Sequence, residues 1–475
     1  MALSELPPAL GADGEAGSEL PHVRTAVPGA MSRAWLQRLQ SVDAPWTDAR
    51  RAKRTALSGV DGTPIVLSSA QGSNVVDLDG NRYVDLVGSF GAALLGHGNT
   101  RISRTIEMQS SRLMMGLGDV FPSDAKIGLS ERLARLFPEP GARVMLGLSG
   151  ADAVDAALKT ALLSTGKSGV IAFDGAYHGL ATGPLATCGL RPEFRAPFEP
   201  HLSTHVRFSP FAKSAADLAA SLASVEAHLK TGAIGAVVVE PVLGRGGVIV
   251  PPDGFLFGLR TLCDQYGAIL IADEIWTGLG RCGALLRTSA ESVTPDLICL
   301  GKGLGGGLPL SACIGKKSVM EAWRTPSRRA ARDAESEPEA LHGEAIHTST
   351  HSGNPLACAA AIALLDGVIG GKLAERARVE GDAFRAALTA TLCDGRHGVR
   401  EVRGVGLMVG IELDGGAQRG LAISRDLLTK GWITLTGGAG DVLTLTPPLN
   451  IARALLDGFV AAIGEATLAR ATSAM

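Results

Sequence analysis

The fold is decided by two stretches, LIADEIWTGLGRCG at residues 270–283 and PDLICLGKGLGGGLPLSA at residues 295–312. Each contains a short, continuous apolar run that is followed directly by charged residues or glycines. Continuous runs are typical of parallel strands that are buried on both faces. Asp273 and Glu274 follow the first run, and Lys302, between two glycines, follows the second. The two stretches therefore predict strands that end in carboxylates and in an amine.

The same pattern extends over about residues 125–320, where apolar runs alternate with helix-like stretches. This alternation indicates an α/β fold with a mostly parallel sheet. A helix is predicted over residues 151–164, and a hairpin over 73–87 around Asp79-Gly80-Asn81. The predicted strands cover residues 144–148, 170–173, 236–239, 268–272 and 297–300.

Composition argues against several classes of protein. The net charge of −2, without a basic stripe, predicts no nucleic-acid partner. The apolar runs are short and interrupted by glycine, which predicts no membrane span, and the N-terminus does not resemble a signal peptide. The seven cysteines form no C-x-x-C pair, which favours reduced thiols in a cytoplasmic protein over disulfides or a metal site.

Changes in composition suggest how the chain is divided. Residues 1–30 are predicted to form a flexible tail, and residues 325–341, TPSRRAARDAESEPEAL, a surface loop. We expect a large domain over residues 91–365. The segments 31–90 and 366–475 are expected to form a smaller α+β domain.

Polar residues follow the predicted strands, at the sheet edge where ligands bind in such folds. Ser149-Gly150 starts a helix, Tyr177 and Glu240 follow two further strands, and Asp273 and Lys302 complete the set. Each feature alone has an ordinary structural interpretation as a cap, a packed ring or a loop residue. Together they provide an anion site, an aromatic face, an acid and an imine-forming lysine. Pyridoxal 5′-phosphate (PLP) requires this combination.

From about residue 60 to 465 the sequence resembles the class III (omega) aminotransferases of PLP fold type I. The two opening stretches carry most of the resemblance. Three further segments match: DGAYHG at 174–179, VVVEPV at 237–242 and HTSTHSGNPLACAAAIAL at 347–364. The resemblance implies an α/β fold with a mostly parallel central sheet between helices, plus a smaller α+β domain.

The resemblance also implies roles for individual residues. Lys302 would bind PLP as a Schiff base, the internal aldimine, and move the proton between substrate and cofactor. Asp273 would keep the pyridine nitrogen protonated, and Tyr177 would stack on the ring. The other implied cofactor-binding residues are Gly150, Ala151, His178, Glu240 and Thr350. Because Thr350 would reach the phosphate of a neighbouring subunit, the resemblance implies a homodimer.

The implied reaction is a ping-pong transfer from an amino acid or amine donor to a 2-oxo acid, such as 2-oxoglutarate or pyruvate. The same scaffold supports racemases, epimerases, aminomutases and a decarboxylating transaminase, and the motif around Lys302 does not separate them. A non-catalytic PLP-fold binding protein is a further alternative. A nicotinamide enzyme is disfavoured, because the glycines of residues 301–307 run into Leu-Pro-Leu rather than into a helix.

Three positions near the cofactor depart from the family pattern. Ala151 stands where a Ser or Thr is common, and Asp152 where a Glu is common. Trp276 replaces a Gln that often lies near the phenolic oxygen of the cofactor, and it offers only an indole N–H there.

A further departure bears on the substrate. Many members carry a Glu and an Arg that pair, and here these positions hold Arg245 and Thr444. One hypothesis is that Arg245 binds the substrate carboxylate, and the alternative is a solvated Arg245 with an uncharged substrate. Arg281 could serve instead. Phe90 and Trp276 are the other predicted substrate contacts, Phe90 within a segment expected to line one wall.

Overall fold

The computed structural model describes residues 17–324 and 347–472, which divide into two units. One unit comprises Met1–Thr100 with Glu375–Met475, and the other comprises Arg101–Ala374. The prediction also places a large domain between two segments of a small domain, but with boundaries after residues 90 and 365 instead of after residues 100 and 374. The predicted loop at 325–341 lies outside the described residues.

The helices range from four to 20 residues in length. In chain order the helices are α1 (Ala30–Gln40), α2 (Trp46–Ser58), α3 (Gly88–Gly91), α4 (Thr100–Arg112), α5 (Asp124–Leu136), α6 (Gly150–Thr165), α7 (Thr182–Ala186), α8 (Pro192–Arg195), α9 (Leu218–Leu229), α10 (Phe255–Tyr266), α11 (Arg287–Ala290), α12 (Lys317–Met320), α13 (Pro355–Gly370), α14 (Leu373–Leu392), α15 (Gly416–Thr429) and α16 (Arg453–Thr472). The 3₁₀ turns are Ala196–His201, Lys302–Gly305 and Glu321–Trp323.

The strands are short, with two to seven residues each. They are β1 (Leu67–Gln71), β2 (Asn74–Asp77), β3 (Arg82–Asp85), β4 (Arg143–Gly147), β5 (Gly169–Phe173), β6 (Val206–Ser209), β7 (Ile234–Val239), β8 (Ile269–Asp273), β9 (Leu297–Leu300), β10 (Ser311–Gly315), β11 (Val399–Val405), β12 (Met408–Leu413), β13 (Trp432–Ile433), β14 (Leu435–Gly437) and β15 (Val442–Leu445).

A seven-stranded sheet in the order β4-β10-β9-β8-β7-β5-β6 forms the centre of the second unit. The pairs from β9 to β6 are parallel, whereas β10 runs antiparallel to both β9 and β4. Six strands therefore point the same way, and the five predicted strands are all among them. The mostly parallel sheet is confirmed, and every position of β7 and β9 is buried, as their continuous apolar runs require.

Alternate residues of the central strand enter two different hydrophobic clusters, one for each face of the sheet. Leu270 packs with a cluster that contains three mutually contacting rings, whereas Ile269 and Ile271 pack with a cluster that includes α6 residues. The ring centroids lie 5.0–5.9 Å apart, within the range of edge-to-face contacts. The three rings are Phe173, Phe211 and Phe255.

Helix α6 begins and ends as its sequence predicts. Ser149 caps it, with its hydroxyl accepting a hydrogen bond from the Asp152 amide at 3.2 Å. Gly166 ends it with φ 65°, in the left-handed conformation that glycine adopts at helix C-termini. The helix predicted over 151–164 is thus confirmed to within one residue at each end.

In the first unit, β2 and β3 form the predicted hairpin. Residues 17–25 hydrogen bond to it: the Glu19 amide donates to Asn74 Oδ1 at 2.9 Å, and the Arg24 amide to Asn81 Oδ1 at 2.8 Å. This part of the chain differs from the flexible tail predicted over residues 1–30, because hairpin side chains satisfy its backbone. Residues 1–16 lie outside the described part.

All seven cysteines are free thiols, and all but Cys393 are buried. Cys299 and Cys313 face each other on the neighbouring strands β9 and β10. Across residues 17–324 and 347–472, no single helix is long and apolar enough to cross a membrane. Helices α13 and α14 pass that test only as a pair, by length and composition.

Candidate active site

The loops at the carboxyl ends of the parallel strands approach one another closely at two glycines. A Cβ on Gly150 would lie 2.8 Å from the Ile275 side chain, and a Cβ on Gly301 would lie 3.4 Å from the Gly150 backbone. The start of α6 therefore contacts the loops that follow β8 and β9. These are the loops that carry Asp273 and Lys302.

Asp273 is the buried carboxylate at the end of β8. Its Oδ2 lies 2.7 Å from His178 Nδ1, and its Oδ1 accepts the Ile275 amide at 3.1 Å. Burial acts to lower the pKa of His178, but the hydrogen bond and the charge of Asp273 outweigh it and raise that pKa above its ordinary value. His178 Nε2 is buried and meets no hydrogen-bond partner among the described residues.

Glu240 joins the loop after β5 to the loop after β7. Its carboxylate accepts the Tyr177 amide at 2.8 Å and the Gly244 amide at 3.0 Å. Burial raises the pKa of Glu240 to about 7, while His178 opposes the rise and Asp273 adds to it. Glu240 thus fixes the loop geometry beneath Tyr177.

Lys302 is the first residue of a 3₁₀ turn and has φ 44°, a left-handed conformation that costs a non-glycine residue energy. The loss of water around its amine lowers its pKa to about 8; the carboxylates of Asp273 and Glu240 oppose this shift, and Arg245 adds to it. Its Nζ lies 4.4 Å from the centre of the Trp276 ring. A lysine with this pKa exchanges protons readily near neutral pH.

Arg245 stacks on aromatic rings at the same edge. Its guanidinium carbon lies 4.3 Å from the centre of the Tyr177 ring and 5.6 Å from that of Phe194. The two rings meet edge to face, with centres 6.2 Å apart. The sequence did not single out Phe194, which lies in a short helix without a motif.

The first turn of α6 leaves backbone N–H groups available to an anion. Gly150 and Ala151 occupy its first two positions, where backbone N–H groups have no acceptor within the helix and the helix dipole favours negative charge. Asp152 follows them, and its carboxylate accepts the Leu148 amide at 2.8 Å and contacts His347 Nε2 at 2.8 Å. The hydrogen bond from His347 lowers the pKa of Asp152.

Thr350 is exposed in this chain, in a loop that is anchored to the sheet. Ser352 donates to the Leu146 carbonyl of β4 at 3.1 Å, and Ser349 lies 3.2 Å from Ser352 between their hydroxyls. The loop therefore presents Thr350 outward, and its role at a neighbouring subunit stays a prediction.

Phe90 and Thr444 belong to the other unit. Phe90 is 62% exposed, and with φ 61° it lies in a left-handed turn after Asp85, whose carboxylate accepts the amides of residues 87–89 at 2.9–3.1 Å. Thr444 is buried in β15. The part of each in substrate binding stays a prediction.

Glu274 and Arg281 both lie in the loop after β8, and both are buried. Glu274 is buried, and its carboxylate accepts hydrogen bonds from Thr277, Thr288 and the Arg287 amide, which shapes the loop after β8. Arg281, in that loop, is fully buried, and burial lowers its pKa to about 10. Arg281 thus differs from Arg245, which is only half-buried.

The chain belongs to the class III aminotransferases: residues 56–467 match the family described as Aminotransferase class-III. The acetylornithine aminotransferase of Mycobacterium bovis is 36% identical over 432 residues, which are 90% of this chain and 98% of that protein. The putrescine aminotransferase of Pectobacterium atrosepticum is 32% identical over 410 residues, covering 84% and 82% of the two chains.

Solved structures agree. The PLP-bound amine transaminase from an uncultivated Pseudomonas species superposes with a TM-score of 0.77 at 28% identity, covering 86% of this chain and 95% of that one. The ornithine aminotransferase of Toxoplasma gondii gives 0.75 at 28% identity, covering 92% and 97%. The protein is a PLP-dependent aminotransferase of fold type I.

The site geometry fits PLP. The amine of Lys302, the ring of Tyr177 and the free N–H groups that begin α6 suit the aldehyde, the ring and the phosphate of this cofactor. A carboxylate has about four acceptor positions, and the contacts of Asp273 use two of them, so it can accept a further proton donor.

The lowered pKa of Lys302 predicts a pH-dependent stability. The folded pKa of about 8 lies below the ordinary 10.5, so burying the charged amine costs free energy below pH 8, and this cost disappears as pH rises from 8 to 10.5. Cofactor-free Lys302→Met should therefore exceed wild type in free energy of unfolding by on the order of 1–3 kcal/mol at pH 7, with a gap that closes toward pH 10.5.

Urea unfolding at several pH values measures this difference. Lys317→Met, which alters an exposed lysine of the same unit, is the control and should change stability little at any pH. A Lys302→Met protein that is less stable than wild type at pH 7 would contradict the argument.

Proposed function

We propose that this enzyme transfers an amino group from a primary amine donor to a 2-oxo acid in two half-reactions, with Lys302 as the proton carrier. Bound PLP supplies an electron sink for the carbanion formed at the substrate carbon. The neutral amine of Lys302 takes a proton from the substrate carbon that bears the amino group and then gives that proton back within the same half-reaction. Its pKa of about 8 leaves an appreciable neutral fraction near pH 7, which an ordinary lysine lacks.

We propose that the carboxylate of Asp273 would keep the pyridine nitrogen of the cofactor ring protonated. The imidazole of His178 fixes one carboxylate oxygen, and the raised pKa of His178 favours a cation that stabilises the carboxylate charge. Glu240 positions Tyr177 through its backbone amide. Asp273, His178 and Glu240 are buried, which keeps water from competing for their hydrogen bonds.

The observation that carries the substrate proposal is the stacking of Arg245 on Tyr177. The cation–π contact places the guanidinium carbon over the Tyr177 ring, and the N–H groups that do not face the ring can bind a planar carboxylate in a bidentate manner. Arg245 is close enough to Lys302 to lower the pKa of that amine. This favours Arg245 as the carboxylate-binding residue over a solvated Arg245 with an uncharged substrate.

The similar proteins suggest the donor class. They are named for acetylornithine, putrescine and ornithine, each of which carries a primary amine at the end of a linear chain. We therefore propose a donor with a terminal amine on a linear chain, and 2-oxoglutarate or pyruvate as the acceptor.

Amino transfer predicts a reaction with the donor alone. Mixing the enzyme with a terminal amine and no acceptor should abolish the absorbance band of the lysine-bound cofactor and release about one oxo product per site. A 2-oxo acid should then restore the band. An enzyme that keeps its band while it still converts the substrate would be a racemase, epimerase or aminomutase. A protein that keeps its band and converts no substrate would be a non-catalytic PLP-binding protein.

Removal of Arg245 should affect the carboxylate-bearing acceptor selectively. In Arg245→Ala we expect KM for 2-oxoglutarate to rise about 10- to 100-fold, since charged hydrogen bonds contribute roughly 1.5–3 kcal/mol. KM for an amine donor that carries no carboxylate should change little. Arg245→Lys keeps the charge but loses the planar, forked arrangement of N–H donors. Its KM for 2-oxoglutarate should therefore lie between those of wild type and Arg245→Ala.

A matched control is Arg195→Ala, which removes an arginine that stacks on Phe208 at 4.3 Å beside the edge strand β6. An unchanged KM for 2-oxoglutarate in Arg245→Ala would refute the carboxylate role of Arg245.

We further propose a homodimer in which Thr350 acts in the partner's site. Large apolar side chains are exposed in the segment 113–121, where Leu117 is 62% and Phe121 68% exposed. The segment adjoins the loop of Thr350, since Asn354 donates to the Met114 carbonyl at 3.1 Å. Burial of this apolar segment against a second copy would bring the exposed Thr350 to another subunit.

Subunit mixing tests this arrangement. Lys302→Ala and Thr350→Glu should each be nearly inactive alone, the second because a carboxylate repels the cofactor phosphate. Random exchange between them should restore about one quarter of wild-type activity, because each mixed dimer gains one complete site. If Thr350 serves its own subunit, mixing should restore nothing.

A further inference from the structure

The indole ring of Trp276 contacts the amine of Lys302. Lys302 Nζ lies 4.4 Å from the ring centre, well within the range of a cation–π contact. Such a contact is strongest with an indole and strengthens when water is excluded. The ring therefore favours the charged form of this amine.

The other charged groups that face Lys302 come from the end of β8, which carries Asp273, and from the loop after β7, which carries Glu240 and Arg245. Asp273 and Glu240 stabilise the positive charge, whereas Arg245 and the loss of water disfavour it. Trp276 differs from all of these because it attracts the charge without carrying a charge of its own. It can therefore hold the amine at a defined place without forming an ion pair that the reaction would have to break.

The indole of Trp276 has a second property that points toward a ligand. Its Nε1 is buried, yet it meets no acceptor among residues 17–324 and 347–472. A buried donor without an acceptor costs free energy, so such groups in folded proteins commonly bind a ligand or water. The donor and the ring that contacts Lys302 belong to one rigid side chain.

We propose that Trp276 is a positioning residue for Lys302, which holds the free amine on its ring face and donates its indole N–H to an oxygen of the bound cofactor or substrate. The inference rests on the proposed role of Lys302 as proton carrier. When the amine is not bonded to the cofactor, it stays at the ring, ready to take up or return a proton. The hydrogen bond from the indole N–H to the ligand keeps the ring of Trp276 in a fixed position relative to that ligand.

Two substitutions separate the ring from the N–H. Trp276→Phe keeps a ring and removes the donor, and Trp276→Leu removes both. Trp323→Phe is the matched control, because that indole lies in the same unit and already donates to Thr160 at 2.9 Å.

The primary measurement is the pH dependence with which acetic anhydride labels Lys302 in the cofactor-free full-length chain, read by mass spectrometry of the Lys302 peptide. Only the neutral amine reacts. In Trp276→Leu we expect the apparent pKa of Lys302 to fall by roughly one pH unit, because the charged form loses its ring contact. Trp276→Phe should shift it much less, and Trp323→Phe should leave it unchanged.

The second measurement is the dissociation constant of PLP from the full-length enzyme. Loss of the N–H should weaken binding about three- to tenfold in both Trp276 variants, as expected for one hydrogen bond, and leave Trp323→Phe at the wild-type value. Rescue of Lys302 titration by Phe, without rescue of PLP binding, is the signature of the two separate roles.

An unchanged or raised pKa of Lys302 in Trp276→Leu would overturn the proposal, since it would mean that the ring merely excludes water. Equal PLP binding by wild type and Trp276→Phe would overturn the role of the N–H. Because the labelling needs neither cofactor nor substrate, its outcome is independent of amino transfer. A failure of the proposed function would appear separately, as wild-type enzyme that does not react with a donor.

Discussion

The site depends on the buried carboxylate of Asp273. Removing a carboxylate from water costs several kcal/mol unless hydrogen bonds and an opposite charge replace the lost solvation. His178 supplies both from the loop after β5, and the Ile275 amide supplies a further bond from the loop after β8. The requirement to satisfy this one charge therefore joins two strands, and Glu240 extends the connection to a third through the Tyr177 amide.

Much of this arrangement follows from local sequence. Continuous apolar runs predict buried parallel strands, and the residues that follow them must meet at one edge, so the sequence alone places Asp273, Tyr177 and Lys302 together. The family resemblance then indicates the cofactor. Helix α6 is equally predictable, because a serine cap and a terminal glycine define it locally.

Other features depend on contacts that no local pattern encodes. The reversed direction of β10 arises from its pairing with β4 and β9, and an apolar run reads the same in either direction. The contacts of Phe194 with Arg245, and of Trp276 with Lys302, depend on how loops fold over the sheet. His347 contacts Asp152 across a separation of 195 residues. Such contacts become visible only in three dimensions.

The backbone of Lys302 has a consequence for any inactive reference protein. At φ 44° the residue occupies a region that glycine adopts freely and that alanine avoids. An alanine here removes the amine but retains the strained turn, whereas a glycine removes the amine and relaxes it as well. The two inactive proteins differ in backbone strain and, in the opposite direction, in the larger conformational entropy that glycine gives the unfolded chain. A higher melting temperature for the glycine variant would therefore mean that the strain sustained at this reactive residue exceeds the entropic cost of glycine.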